Sequence, residues 1–530
     1  WGGIYFNSTI NNAITRLQHC VVEYGGSNFA SHTQGSMVFC DGASPTLENC
    51  VFQFSNNDGI WIKNGAPSVI RPVLQNNKGA AVQIFPSAFP WIQNAAAVAN
   101  RFNAIKIAGG SWTGSGEWGE PGIPYLIAED VEIAPEARIA IAKGNTIQFN
   151  FLSSDLIVRG RLDAIGSEAL PILFTSSQPV PGKGNWGALV FHPGASGHIR
   201  QAVVEYGGSY FASGGLDSQF RLLAGADVAI ENLTLRDSVN YGMIIEATGG
   251  TFTNLTVEGN LRGGIRGDQG AMVEITASRF AKNGQGVAAR DQAQLTLRGN
   301  VFQENTDALF TYGDESRIRF GNNQFLGNNR TGTVNFLTAA SSEPGNVVSG
   351  DQAGLEISSG ELKESGALHA LLGGYYEIHR SRTIAPTGSL QIRPGTFIAL
   401  EGGDAGIVVS GFLGINGLAN QPVQLAAPPT VSSPTQRSVY TGILIQDEGR
   451  GSIRHAVIRN AGIGRAGVEA RGLADVRLEN CRFEYNQTAL RVLQSARMTT
   501  AYSRFLNNGT AVETNGQAGM DAAVQFSHIV

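Results

Sequence analysis

Leu478-Glu479-Asn480-Cys481-Arg482-Phe483-Glu484-Tyr485-Asn486, followed closely by Ala489-Leu490, is the stretch whose reading decides the fold. Just before it, Val476-Arg477-Leu478 alternates apolar and polar residues with the period of two that a half-buried strand requires. The small residue that ends the polar stretch and precedes an aliphatic returns at a fixed interval. Gly467, Ala489 and Ala511 lie 22 residues apart, as do Gly242, Gly264, Gly286 and Ala308. The same alternation recurs in Leu295-Thr296-Leu297, Val273-Glu274-Ile275 and Val228-Ala229-Ile230, and a helical period is sustained nowhere. Strands repeating every ~22 residues leave no room for crossover helices, so they must stack in parallel as a solenoid. The expected fold class is therefore all-β.

A second, longer repeat divides the chain into modules. Trp1-Gly2-Gly3-Ile4-Tyr5-Phe6 returns as Trp186-Gly187-Ala188-Leu189-Val190-Phe191 and, more loosely, as Tyr440-Thr441-Gly442-Ile443-Leu444-Ile445. Module heads also match: Val131-Glu132-Ile133-Ala134-Pro135 with Arg382-Thr383-Ile384-Ala385-Pro386, and Pro171-Ile172-Leu173-Phe174 with Pro422-Val423-Gln424-Leu425. This reading gives a module at 1–107 lacking its beginning, a linker at 108–124 and a complete module at 125–336. A connector at 337–374 and a module at 375–530 lacking its end complete it, and a longer parent protein is expected. At ~4.8 Å per coil, about 18 to 22 coils would make a rod of roughly 90–110 Å.

Composition narrows the partners. Charged residues are 15% against roughly 25% in an ordinary globular protein. Gly is 68 of 530, about twice its usual share, which suits tight corners. The net charge of −5 and the lack of a basic run argue against nucleic acid and anionic membranes. No apolar stretch is long enough to insert in a bilayer.

The four cysteines form neither a disulfide framework nor a CxxC metal site. Cys20, Cys50 and Cys481 share one repeat position that elsewhere holds Ala202 and Ala456, which reads as a small buried slot. A Cys20–Cys50 or Cys40–Cys50 bridge stays open if the protein is secreted. Asn56, Asn283, Asn305, Asn329, Asn486 and Asn508 each precede the small corner residue by three, and stacked amides would bond along that column. That ladder accounts for Asn329, Asn486 and Asn508 better than the Asn-x-Thr glycosylation triplets they also form.

These segments resemble the right-handed parallel β-helix superfamily, the pectin-lyase-like and carbohydrate-active repeat proteins. The Trp-Gly-Gly motif with Val-Val-Glu-Tyr-Gly-Gly (Val21–Gly26 and Val203–Gly208) is similar to bacterial secreted and surface members. The resemblance implies tandem right-handed parallel β-helix modules and leaves activity open, because such proteins include lyases, hydrolases, adhesins and structural members. The motifs of polygalacturonase-like enzymes are met only by Gly197-His198-Ile199 and Arg317-Ile318-Arg319, with no Asp-Asp pair. Arg71-Pro72 and Arg393-Pro394 do not fit the arginine strand of pectate-lyase-like enzymes.

One column could carry chemistry. Glu246, Asp268, Arg290 and Tyr312 share a 22-residue register. Glu246 and Asp268, if exposed on neighbouring coils, would stand ~5 Å apart, near the carboxyl separation of retaining glycosidases. They are the catalytic candidates, and Ca2+ is the cation such a pair could hold, although no motif demands a cofactor or metal. The bland alternative is a solvated ladder in which Arg290 neutralises Asp268. Binding candidates are Tyr24, Phe29, Tyr206, Tyr210 and Phe211, in or beside insertions at Ser27–Gly35 and Ser209–Gln219, where sugar rings or a neighbouring subunit could stack. His192 and His198 lack the further ligands of a metal site.

The expected function is a structural or adhesive rod, extracellular or at the cell surface, that self-associates or docks on neighbouring modules. The alternatives are a polysaccharide lyase or glycoside hydrolase, and a surface protein that binds carbohydrate without turnover. The missing catalytic motifs weigh against an enzyme.

Overall fold

The structure is a computed structural model and describes residues 1–27, 35–86, 88–210, 217–429 and 435–515, with the backbone of the strand at 523–527. It divides into two compact units, Trp1–Arg266 and Gly267–Val530.

In the first unit each early coil runs through three short strands. Ile4–Asn7, Val38–Asp41, Ile60–Ile62 and Ala80–Ile84 stack in parallel on one face. Arg16–Gln18, Thr46–Glu48, Ser68–Ile70 and Trp91–Gln93 form a second face. Val21–Glu23, Val51–Gln53, Val73–Gln75 and Ala96–Val98 form the third. Inward residues such as Val38, Ile60, Ile62, Val69 and Leu74 are fully buried and fill the coil interior. That burial is the main stabilising term, at about 25 cal/mol per Å² of apolar area.

The corner between the second and third faces is one residue in the left-handed region. His19, Asn49, Arg71 and Asn94 occupy it on successive coils, with φ of 53°, 52°, 49° and 50°. A β-branched residue would be strained there, and none of the four is β-branched. The residues that follow on these four coils, Cys20, Cys50, Pro72 and Ala95, fill an inward slot for small side chains.

Residues 108–124, which the sequence marks as a linker, are themselves coil. Gly110–Trp112 pairs with Val131–Ile133, and Gly116–Trp118 with Arg138–Ile141. Trp112 and Trp118 are fully buried, meet edge to face at 5.9 Å, and Trp118 stacks on Tyr125. Burial of three large aromatics lets this Gly-rich segment continue the stack.

The second unit repeats the plan. One face stacks Asp307–Thr311, Arg330–Asn335, Ala353–Ser359, Tyr376–Ile378 and Phe397–Leu400. Another stacks Ser389–Ile392, Phe412–Asn416, Arg450–Arg454, Asp475–Glu479 and Arg497–Ala501. A single helical turn at Phe336–Ala339 interrupts the strands and is capped by Asn335.

The asparagine ladder is present with its phase corrected. Asn283, Asn305 and Asn328 stack, each backbone N–H donating to the next side-chain oxygen at 2.8–3.0 Å, ending on Asp351. Asn329, one residue along, is exposed, because this coil spans 23 residues rather than 22. Ser55 takes the ladder position in the first unit, while Asn56 is exposed and bonds Lys78. A second ladder, Ser278–Asn300–Asn323–Asn346, runs in the post-corner slot and was not legible from the first.

Candidate functional site

The two carboxylates of the 22-residue column are buried and engaged. Glu246, 7% exposed and in the first unit, pairs with Arg221 of the adjacent strand Ser218–Leu222. Asp268, 1% exposed and in the second unit, meets Arg290 at 3.2 Å, and Arg290 also holds Asp291 at 3.0 Å. Each acid is thus a rung in a charged ladder of its own unit. Tyr312 of the same column bonds Gln285. His192 and His198 have separate partners, Arg159 and Glu231, and burial together with Arg159 lowers the pKa of His192. Among the described residues no group of three or more His, Cys, Asp or Glu converges as a metal site would.

The Glu-Tyr-Gly-Gly motif is a structural clip. Trp1 Nε1 donates to the Glu23 carbonyl at 2.8 Å, and Trp186 Nε1 to the Glu205 carbonyl at 2.7 Å. Gly207 lies against the Trp186 ring so closely that a Cβ would come within 2.9 Å of it. Gly208 takes φ +82° and donates its N–H to the Gly187 carbonyl. Glu23 accepts from Gln53 of the next coil, and Glu205 from Arg236 of the next coil and Thr175 of the preceding one.

Of the aromatic candidates, Tyr24 is 64% exposed and stacks on Phe54 at 5.2 Å. Tyr210 is as exposed, and Tyr206 is half-buried with its pKa raised by burial and by Glu205. Phe29 and Phe211 lie outside the described residues.

Two arrangements escaped the sequence. The first is a groove of about 760 Å³ on an outer face of the second unit. Its rows follow the ladder: Phe412, Arg450 and Asp475 in register, then Ser452, Arg477 and Thr499, then Arg454, Glu479 and Ala501. The small Ser452 and Thr499 flank Arg477 in the middle row. Arg454 pairs with Glu479 at 3.2 Å. Arg450, Arg477 and Asp475 make no ion pair among the described residues, and the apolar surfaces of Leu473 and Phe412 border them. Guanidinium, carboxylate and hydroxyl groups beside an apolar wall can hydrogen-bond a polyhydroxylated ligand and cover its apolar face. The outward alternation of Arg450-Gly-Ser-Ile-Arg454 carried the signal, but a charged outer face is common to every solvated strand.

The second arrangement is a stacked pair of glutamates. Glu356 and Glu377 are register partners on neighbouring coils, 21 residues apart rather than 22. Glu356 pairs with Arg330. Glu377 is buried, accepts from Gly354 N at 2.9 Å and has His379 Nε2 at 3.7 Å. Burial raises the pKa of Tyr375, and Glu377 adds to the rise.

Comparison with known proteins agrees with the coil geometry. The family model described as "Right handed beta helix region" matches residues 220–362. The chain is a right-handed parallel β-helix. No curated protein matches this β-helix. Among solved structures, the alginate lyase from Paenibacillus sp. str. FPU-7 is 12% identical over 72% of this chain and 92% of that one. Its TM-score of 0.12 carries no argument about this β-helix.

Proposed function

We propose that this β-helix is a structural and adhesive protein of the extracellular space or cell surface that holds polysaccharide without cleaving it. The observation that supports the reading is the groove at Arg450, Asp475 and Arg477, whose charged groups face an open channel instead of each other. Several other arginines of this unit are committed to carboxylates, among them Arg459 to Glu484, Arg491 to Glu469 and Glu513, and Arg298 to Glu274 and Glu343. Unpaired donors in a groove can bind a ligand without first breaking an ion pair. Native electrophoresis through gels containing a panel of polysaccharides tests this. Retardation by at least one polymer, lost in the Arg450→Ala/Arg477→Ala double variant and unaccompanied by new reducing ends, is expected. A wild-type protein that no polymer retards would overturn it.

A second reading, glycoside hydrolysis, draws on the Glu356–Glu377 register alone. Stacked coils set the two backbones ~4.8 Å apart, near the carboxyl separation of about 5–5.5 Å in retaining enzymes. It predicts polysaccharide cleavage that Glu377→Gln abolishes; new reducing ends released equally by the variant would remove the pair from consideration.

A further inference from the structure

Cys20 and Cys50 occupy the post-corner slot on consecutive coils. The register on both sides of them is continuous, Gln18 opposite Glu48 and Val21 opposite Val51. Stacked residues of parallel coils stand ~4.8 Å apart at Cα, inside the 4.4–6.8 Å range that a disulfide spans. All four cysteines are thiols in the structure.

The asparagine ladder of the second unit shows what this slot does to side chains. Asn300 Nδ2 donates to the carbonyl of Ile275, three residues before the slot on the preceding coil, and meets Asn323 Oδ1 at 3.1 Å. Side chains in adjacent slots therefore touch. The cysteines adopt the same pose. Cys50 Sγ lies 3.4 Å from the carbonyl of Leu17, again three residues before the slot above, and 3.3 Å from that of Glu48. Cys20 Sγ lies 3.2 Å from the carbonyl of Gln18. Cys481 makes the matching contacts, at 3.4 Å to the carbonyls of Ile453 and Glu479, but the slot above it holds Ala456. Cys40 is fully buried on a strand, in register with Ile62.

We infer that Cys20 and Cys50 form an oxidation site that closes into a disulfide between the first two coils, with Cys40 and Cys481 left as thiols. Cys20, half-buried at the coil edge, is the thiol a small disulfide oxidant reaches, and Cys50, fully buried beneath it, is the resolving thiol. As a thiolate, Cys20 attacks one sulfur of oxidised glutathione, forming the mixed disulfide and releasing one glutathione thiolate. Cys50 then gives its proton to solvent and attacks Cys20 Sγ, forming the Cys20–Cys50 bond and releasing the second glutathione. Two protein thiols are oxidised, and one glutathione disulfide is reduced to two thiols. The loop closed is the 30-residue coil with its insertion, and closing it restricts the unfolded chain.

Peptide mapping by mass spectrometry after treatment with oxidised glutathione, followed by unfolding and alkylation, tests this. The expected result is a Cys20–Cys50 linked peptide lighter by two hydrogens, with Cys40 and Cys481 alkylated. In Cys50→Ala the resolving thiol is gone, so Cys20 should accumulate as its glutathione mixed disulfide while Cys40 and Cys481 stay alkylatable. Four alkylated cysteines in the treated wild type, a bridge that includes Cys40, or a Cys20 mixed disulfide that persists with Cys50 present would each overturn the inference.

Discussion

An outer face of the first unit and an outer face of the second are both parallel ladders at coil spacing, and they are filled with opposite chemistry. In the first, Tyr5, Phe39 and Trp61 stack in register, with Phe85 continuing the column at centroid separations of 4.9–5.3 Å. In the second, the outward positions of strands Arg450–Arg454 and Asp475–Glu479, which correspond to the Arg16–Gln18 face of the first unit, carry Arg450, Asp475, Arg477 and Glu479. The inward positions of both are aliphatic and buried. Aromatic neighbours at coil spacing satisfy one another through their faces, so that column is spent on stacking. Arg450, Asp475 and Arg477 at the same spacing make no ion pair among the described residues and line a groove. In a β-helix the interior sets the scaffold, and the outward residues alone decide whether a face is closed or open to a ligand.

Three substitutions probe that contrast. Phe302 sits in an interior stack between Phe280 and Phe325, at 5.0 and 5.2 Å. Phe302→Ala should cost about 3–5 kcal/mol by denaturant unfolding, because the packed interior cannot collapse around the cavity. A loss below about 1 kcal/mol would show that the interior does not carry the fold. Trp61→Ala, in the outer stack, should cost roughly 1 kcal/mol per broken aromatic pair and leave retardation by polysaccharide unchanged. If it instead abolished retardation, the aromatic face and not the charged one would be the ligand surface.

The smallest expected effect concerns Asp58, beneath the aromatic face. Its carboxylate accepts from Ala80 N at 2.6 Å, and Gln83, with its amide nitrogen turned toward Asp58, reaches Oδ2 at 3.2 Å while accepting from Trp61 Nε1 at 3.0 Å. Burial raises the Asp58 pKa above its ordinary value, against the Ala80 hydrogen bond and Lys106. A raised folded-state pKa in an acid means that ionisation costs stability above that pKa, and the cost disappears as the group protonates. Wild type should therefore gain on Asp58→Asn as pH falls from about 7 toward about 4 in parallel urea titrations. A difference that widens against wild type on acidification would refute the assignment.

The corner column and the period-2 strands were legible because they are local: a small residue before an aliphatic, an alternation over three residues. The Trp-Gly-Gly and Glu-Tyr-Gly-Gly motifs were visible as repeats, but their meaning was not, since the bond from Trp186 to the Glu205 carbonyl spans 19 residues. The basic residue three positions before the motif aromatic was missed altogether. Lys183 bonds the Gly259 carbonyl and Arg437 the Asn507 carbonyl, so each loop of its module is pinned to a distant corner, 76 and 70 residues on. Glu356 and Glu377 were missed because a coil of 21 residues breaks a search at 22.

By itself the sequence determined the parallel coil, its corner residues and its buried slots, because every coil must repeat the same φ/ψ pattern and the same inward side chains to stack. Only the tertiary structure decided which outward side chains meet. Coil lengths drift by a residue or more, and each drift changes which position stands above which. The asparagine ladder moved from Asn329 to Asn328 that way, and the groove at Arg450 and Arg477 is lined by residues that the register brings together from successive coils.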